Sequence, residues 1–297
     1  MDYADEKRIQ DAVRGLYTLL PDGRTVPRLG QGTWRMGEDA SRADGEIESI
    51  QMGIRLGMTL IDTAEMYGSG GAEELVGEAI AGIPREELFL VSKVYPHNAG
   101  RRNIFKSCED SIRRMGAGSL DLYLLHWRGS IPLRETVACM EEMKRDGLIG
   151  GWGVSNFDAG DMEELFNVPG GENCQTNQVL YHLGSRGIEY ELLPWMEAKG
   201  MPFMAYSPLA QAGRLKSGIL KSGAVREVCR RHGVQGGQVL LAFALRLSNA
   251  IVIPKAGTLE HVAENAASAL LTLFEDDLRL LEEEHPSPRR KVSLDMS

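Results

Sequence analysis

Eight short apolar runs punctuate the chain: LGQGTW from Leu29, GMTLID from Gly57, LFLVSK from Leu88, LDLYLLH from Leu120, IGGWGVSN from Ile149, CQTNQV from Cys174, PFMAYS from Pro202 and AIVIPK from Ala250. Their starts lie 28, 31, 32, 29, 25, 28 and 48 residues apart. Several are continuously apolar rather than alternating, as strands covered on both faces of a parallel sheet must be. The stretches between them carry helical spacing. Ile47, Ile50 and Ile54, then Ile104, Cys108 and Ile112, then Val137, Met140 and Met143 recur at +3 or +4. Gly147 marks the end of the fourth helix, Ser222 caps a later helix that Gly233 ends, and Thr258 caps the last.

A strand and a helix repeating at this spacing predict a single α/β domain over 1–297, a (β/α)8 barrel spanning about 29–270. An open dinucleotide-binding sheet would show G-x-G-x-x-G early; Gly68-Ser69-Gly70-Gly71 lacks the third glycine and reads as a loop. The long gap before the eighth run holds the Ser222–Gly233 helix and a second one, Val239 to Leu247. Residues 14–28 read as a β-hairpin around Pro21-Asp22-Gly23 that caps the bottom of the barrel. The tail, 285–297, has no periodicity; it is a frayed end or a flap over the barrel mouth, and the flap is the functional reading.

Charge narrows the partners. Lys+Arg 33 against Asp+Glu 42 gives a net −9, which argues against a nucleic-acid or anionic-membrane binder, since either needs a basic face. No uncharged apolar run approaches the ~18 residues of a membrane span, and MDYADEKRIQ is too charged for a signal peptide. Cys108, Cys139, Cys174 and Cys229 match no zinc or haem spacing and read as buried thiols in a cytoplasmic protein, with no metal. The expected partner is a small molecule, and the chain a monomer or weak homo-oligomer.

In such a barrel the chemistry sits where strands end at the C-terminal face. The runs end at Asp62, Lys93, His126, Ser155-Asn156, Asn177-Gln178, Tyr206-Ser207 and Lys255. Ionisable groups there are costly unless paired or opened to a cleft. Asp62, Lys93 and His126, with Tyr67 in the loop beyond Asp62, make one coherent set. A phenol ordinarily titrates near ~10. A neighbouring Lys93 ammonium should lower that, with Asp62 holding the lysine and His126 orienting a carbonyl oxygen. That equipment delivers a proton to oxygen while a hydride reaches carbon.

Taken in order, LIDTAEMYGSGGAEELVGEAI, FLVSKV, DLYLLHW, GWGVSNF, NQVLYH, AYSPL and IPKAGTLEHVAEN resemble the signature blocks of the aldo-keto reductase superfamily. GQGTWRMGEDAS, NQVLYHLGSRGIEYELLPW and MAYSPLAQAGRL are similar to its bacterial methylglyoxal reductase-like members. The resemblance implies Tyr67 as general acid, Lys93 and Asp62 as its tuners, and His126 as the carbonyl-orienting residue. It implies NADPH, with NADH possible, bound across the mouth. Ser155, Asn156 and Gln178 would hold its carboxamide, and Tyr206 would stack on the nicotinamide. Thr33, Trp34, Asp62, Ser207, Leu209, Lys255, Ala256, His261 and Asn265 would complete the cofactor site. Trp34, Tyr67, His126 and Trp127 would wall the substrate pocket. Arg35 is a further candidate for the pyrophosphate, and His182 reads as structural.

One departure bears on the cofactor. Ala256 and His261 stand where many NADPH-using members have serine and arginine, so a 2′-phosphate loses a hydroxyl and a permanent cation. The implied reaction is NADPH-dependent reduction of small aldehydes or ketoaldehydes to alcohols. The alternatives are a keto-sugar substrate, a redox-sensing module with little turnover, and a barrel hydrolase or isomerase using Asp62 and Lys93 without nicotinamide.

Overall fold

The computed structural model describes residues 3–210 and 215–296; residues 211–214 of the run MAYSPLAQAGRL lie outside them. Helix α1 (Tyr3–Arg14) leads into an antiparallel hairpin of β1 (Tyr17–Leu19) and β2 (Thr25–Pro27). Eight parallel strands follow in chain order: β3 (Gln31–Gly32), β4 (Leu60–Asp62), β5 (Phe89–Val94), β6 (Leu120–Leu125), β7 (Ile149–Ser155), β8 (Asn177–Leu180), β9 (Phe203–Tyr206) and β10 (Ala250–Val252). Each pairs with the next. The ring closes where Gly30 N–H donates to Val252 O at 2.9 Å and Gly32 N–H to Pro254 O at 3.0 Å. This is the (β/α)8 barrel that the repeat predicts.

Helices α2 (Ala43–Arg55), α3 (Gly71–Ile80), α4 (Ile104–Arg114), α5 (Leu133–Arg145), α6 (Ala159–Phe166) and α7 (Leu192–Ala198) connect the strands up to β9. The long gap before β10 holds α8 (Leu215–Leu220), α9 (Gly223–His232) and α10 (Gly236–Leu245). Ser222 Oγ accepts the Val225 N–H and Gly233 ends α9 at φ 66°, as the capping pattern predicts.

Period-two alternation sorts the barrel residues. Leu60, Val91, Leu122, Leu124, Met204 and Ile251 form one interior cluster, closed from below by Leu20 and Val26 of the hairpin. Each such side chain contributes about 1.5–3 kcal/mol when fully buried. Asp22 N–H donates to Gln175 Oε1 at 3.1 Å and Arg24 to Asp121 O at 3.1 Å, pinning the hairpin to the strand starts. Two residues further along β4 and β5, the same alternation turns Asp62 and Lys93 inward at the top.

Four features depart from the expectations. α11 (Leu259–Ala267), capped by Thr258, is not the last helix, because α12 (Glu275–Glu284) follows it. Its acidic first turn suits a helix N-terminus, and Asp277 accepts the Phe274 N–H at 3.1 Å. α10 runs three residues earlier than Val239, as Gln238 reaches back to the Gln235 N–H at 3.0 Å. The sixth barrel strand starts at Asn177 rather than Cys174, so Gln178 lies inside it. Cys229 is only partly buried, while the other three cysteines are buried. Among the described residues no helix is long and apolar enough to cross a membrane.

The tail folds back over the mouth. Lys291 pairs with Glu191 at 2.8 Å, Asp295 accepts a hydrogen bond from Ser185 Oγ, and Met296 reaches the central cavity.

Candidate active site

At the C-terminal ends of the strands lies an open cavity. Thr33, Trp34, Asp62, Tyr67, His126, Trp127, Ser155, Asn156, Gln178, Tyr206, Ser207 and Lys255 all line it. Leu209, Ala256, His261 and Asn265 are not among its walls. Leu209 and Ala256 pack against the outer core, while His261 is exposed in the first turn of α11 and Asn265 is buried a turn later.

Lys93 organises the floor. Its Nζ donates to Asp62 Oδ1 at 2.7 Å, to Thr63 O at 2.8 Å and to Tyr67 Oη at 3.0 Å, which engages all three ammonium protons. Asp62 is held from its other side by Gln178 Nε2 at 2.8 Å, and its backbone carbonyl accepts from Thr33 Oγ1 at 3.0 Å. The link from Gln178 to Asp62 was not legible in the sequence.

Burial and charge oppose each other here. Burial pushes the Asp62 carboxyl up, against the pull of Lys93. Burial would lower Lys93, but Asp62 and Tyr67 together hold it above its usual value, so the ammonium is retained. Tyr67 departs from the expectation that its lysine neighbour makes it more acidic. Burial outweighs Lys93, with Asp62 adding to the rise, and the phenol stays protonated. Lys93 still lowers the cost of losing that proton.

His126 packs edge-on against Tyr67, with ring centroids 5.7 Å apart, and against Trp127 at 4.9 Å. Burial, reinforced by Lys93, pushes its pKa down to about 2, so the imidazole is neutral. Its Nδ1 is buried without a hydrogen-bond partner. A bare lone pair there costs less than an orphaned N–H, which favours the tautomer with its proton on Nε2.

Asn156 and Ser207 sit at φ 60° and 50°, a backbone strain held by the surrounding bonds. Asn156 accepts from Tyr206 Oη at 2.9 Å and Ser155 Oγ donates to Gln178 O at 2.8 Å, so four candidate cofactor residues are fixed before any ligand arrives. Arg35 is exposed with its guanidinium 4.5 Å from the centre of the Trp34 ring. His182 accepts the Gly184 N–H at 3.1 Å, a turn-forming bond. Met66, Ile253 and Met296 also line the cavity without having been singled out, although Met296 belongs to the tail read as a flap.

The buried histidines predict acid lability. His126 is lowered to about 2 and His182 to about 4, both by burial. Below the ordinary value near ~6.5 the unfolded chain binds protons that the folded one refuses, so stability falls as pH drops. The slope approaches about 1.4 kcal/mol per pH unit for each ring. Urea midpoints at pH 7 and pH 5 should therefore diverge, and His126→Gln should narrow the gap. An unchanged gap would mean that the ring already takes up a proton in the folded state.

Fold and site together define a barrel oxidoreductase. The profile of the Aldo/keto reductase family matches residues 28–284, and the chain belongs to that family. It is 54% identical over 272 residues to the methylglyoxal reductase YeaE of Escherichia coli K12, covering 92% of this chain and 95% of that protein. The glyoxal reductase of Bacillus subtilis is 32% identical, over 87% of this chain and 89% of its own. Two crystal structures of an aldo-keto reductase from Klebsiella pneumoniae, one with NADP and acetate and one with NADPH, superpose with TM-score 0.92 at 48% identity. Each covers 95% of this chain and 99% of its own.

Proposed function

We propose that the protein reduces small aldehydes and ketoaldehydes, methylglyoxal among them, to alcohols with NADPH. The observation that carries this is the connected set of Asp62, Lys93 and Tyr67 beside a neutral His126 in one cavity. The relatives that act on methylglyoxal and glyoxal, and the neighbours that bind NADP and NADPH, support it.

The residues present suit a dinucleotide. Ser155, Asn156 and Gln178 offer polar atoms for a carboxamide and Tyr206 a ring face, while Lys255 with Ala256, His261 and Asn265 leads toward an adenosine end. Gly257 leaves room beside Lys255, since a Cβ there would meet its Nζ at 2.9 Å. When bound, the nicotinamide supplies the hydride. Tyr67 gives its phenolic proton to the carbonyl oxygen, and the Lys93 ammonium stabilises the phenolate left behind. The His126 N–H orients the carbonyl. Trp34 and Trp127 shape the apolar side of the pocket and exclude water.

The free thiols of Cys108, Cys139, Cys174 and Cys229 support a cytoplasmic setting. We read residues 1–297 as one barrel-type domain, since the hairpin and tail both pack on the barrel.

The test is oxidation of NADPH by the purified protein with methylglyoxal, run beside NADH. NADPH-dependent turnover is expected. Binding of NADPH without turnover would point to another carbonyl or a sensor, and failure to bind it would sink the reading.

A further inference from the structure

Tyr67 stands on a loop with little regular structure to fix it. It opens a single 3-10 turn, Tyr67–Gly70, in which Gly68, Ser69 and Gly70 lie at φ 57°, 54° and 97°. Left-handed residues in succession build no continuing helix, so the phenol depends on what holds the chain just before it. There the Tyr67 N–H donates to Ala64 O at 3.0 Å, which makes Glu65 and Met66 the centre of a tight turn.

Glu65 ties that turn to its neighbour. The half-buried carboxylate reaches the loop after β5, where its Oε1 accepts the Tyr95 N–H at 2.7 Å and Asn98 Nδ2 at 3.1 Å. Glu65 lies two residues before Tyr67, and Tyr95 two residues after Lys93. Lys93 and Tyr67 are therefore tied twice, once by their own 3.0 Å hydrogen bond and once through this carboxylate. One bond fixes a distance; a second, displaced along both chains, also fixes the angle at which the phenol meets the ammonium. The loop that Glu65 grips is itself well seated. Its 3-10 turn, Pro96–Asn98, runs into buried Ala99, whose carbonyl accepts Thr136 Oγ1 of α5 at 3.0 Å. A Cβ placed on Gly129 would come 2.5 Å from Pro96 Cβ, so the loop after β6 lies directly against this turn. Tyr95 also packs edge-on against Trp127, with ring centroids 5.9 Å apart. The loop braced by Glu65 thus backs the side of the pocket that carries His126 and Trp127.

We infer that Glu65 is a positioning residue for the proton transfer: through Tyr95 and Asn98 it sets the Tyr67 phenol against Lys93 and toward the His126 side of the pocket. The inference rests on the reductase reading above and adds to it a residue that does not line the cavity. The partners of Glu65 are a backbone N–H and a carboxamide, neither charged, so an amide oxygen in the same place accepts both bonds. Geometry rather than charge carries the effect.

The test is steady-state reduction of methylglyoxal by NADPH in Glu65→Ala and Glu65→Gln, with NADPH affinity and the solvent isotope effect on kcat measured alongside. Glu65→Ala should lower kcat by about 10–10²-fold, the scale on which small misplacements of a reacting group act, while NADPH affinity moves less than about twofold. Its solvent isotope effect should rise, because the misaligned proton becomes the slower one to transfer. Glu65→Gln should stay within about threefold of wild type. Asn98→Ala, which removes one bond and leaves the Tyr67 turn untouched, should show the same kcat loss in smaller measure. Wild-type kcat in Glu65→Ala would overturn the inference. So would a Glu65→Gln protein as slow as Glu65→Ala, which would make the charge responsible rather than the brace. A loss of kcat matched by an equal loss of NADPH affinity would overturn it too, as general damage to the loop. Wild-type protein that turns over no small aldehyde would overturn both this inference and the reading beneath it.

Discussion

Tyr67→Phe is expected to lower kcat for carbonyl reduction by about 10²–10⁴-fold while NADPH binding changes little. The substitution is close to a single-atom experiment. The phenyl ring keeps its edge contact with His126, whose centroid lies 5.7 Å away, and loses only the hydroxyl that sits 3.0 Å from Lys93 Nζ. Since burial holds the phenol protonated, the wild-type enzyme enters each turnover with its acid loaded. Steady-state kinetics beside a fluorescence titration of NADPH separate the two effects. Near-normal turnover in the variant would move the proton to another donor and end the assignment of Tyr67 as the acid.

The second large effect belongs to Lys93→Met, which should abolish turnover and also weaken the fold. Lys93 and Asp62 are 0% and 2% exposed, so removing the cation strands a buried carboxylate. Breaking a buried pair from one side costs about 3–5 kcal/mol. Asp62 is already raised by burial, and without Lys93 nothing positive opposes that rise. A carboxyl whose folded value lies above its unfolded one favours folding at low pH and loses that contribution as pH rises. The loss of stability relative to wild type should therefore be greatest at neutral and alkaline pH. Pairing it with Asp62→Asn should restore most of the denaturant midpoint without restoring activity. If the double variant stays as unstable as the single one, the loss comes from packing around the lysine stem rather than from the stranded charge.

The chemistry was readable from the sequence because strand ends convert directly into positions at a barrel mouth. Asp62 ends β4, Lys93 is one residue from the end of β5, and His126 follows β6, so the apolar runs point at them. The hairpin was legible from Pro21-Asp22-Gly23 between two apolar runs. Helices α1 and α12 were not, since each fully buries very few apolar residues: Ile9 and Val13 in α1, and Leu281 alone in α12. Contacts between chain segments far apart left no local trace. Gln178 donating to Asp62 and Met296 at the cavity wall both emerge only when the ring closes. The acidity of Tyr67 failed for a different reason: residue types disclose a neighbouring charge, but the competing loss of water depends on depth, which the sequence does not encode.

The returning tail has a practical consequence for anyone producing the protein. Met296 borders the cavity, and Asp295 is tied to Ser185 at its rim. A purification handle appended beyond that end would begin at the doorway through which substrate passes, and would distort any kinetic constant measured on the fusion. At the opposite end α1 packs toward the closed floor of the barrel, where Gln10 bonds Arg55 O at 2.8 Å and Tyr3 is 83% exposed. The handle belongs there.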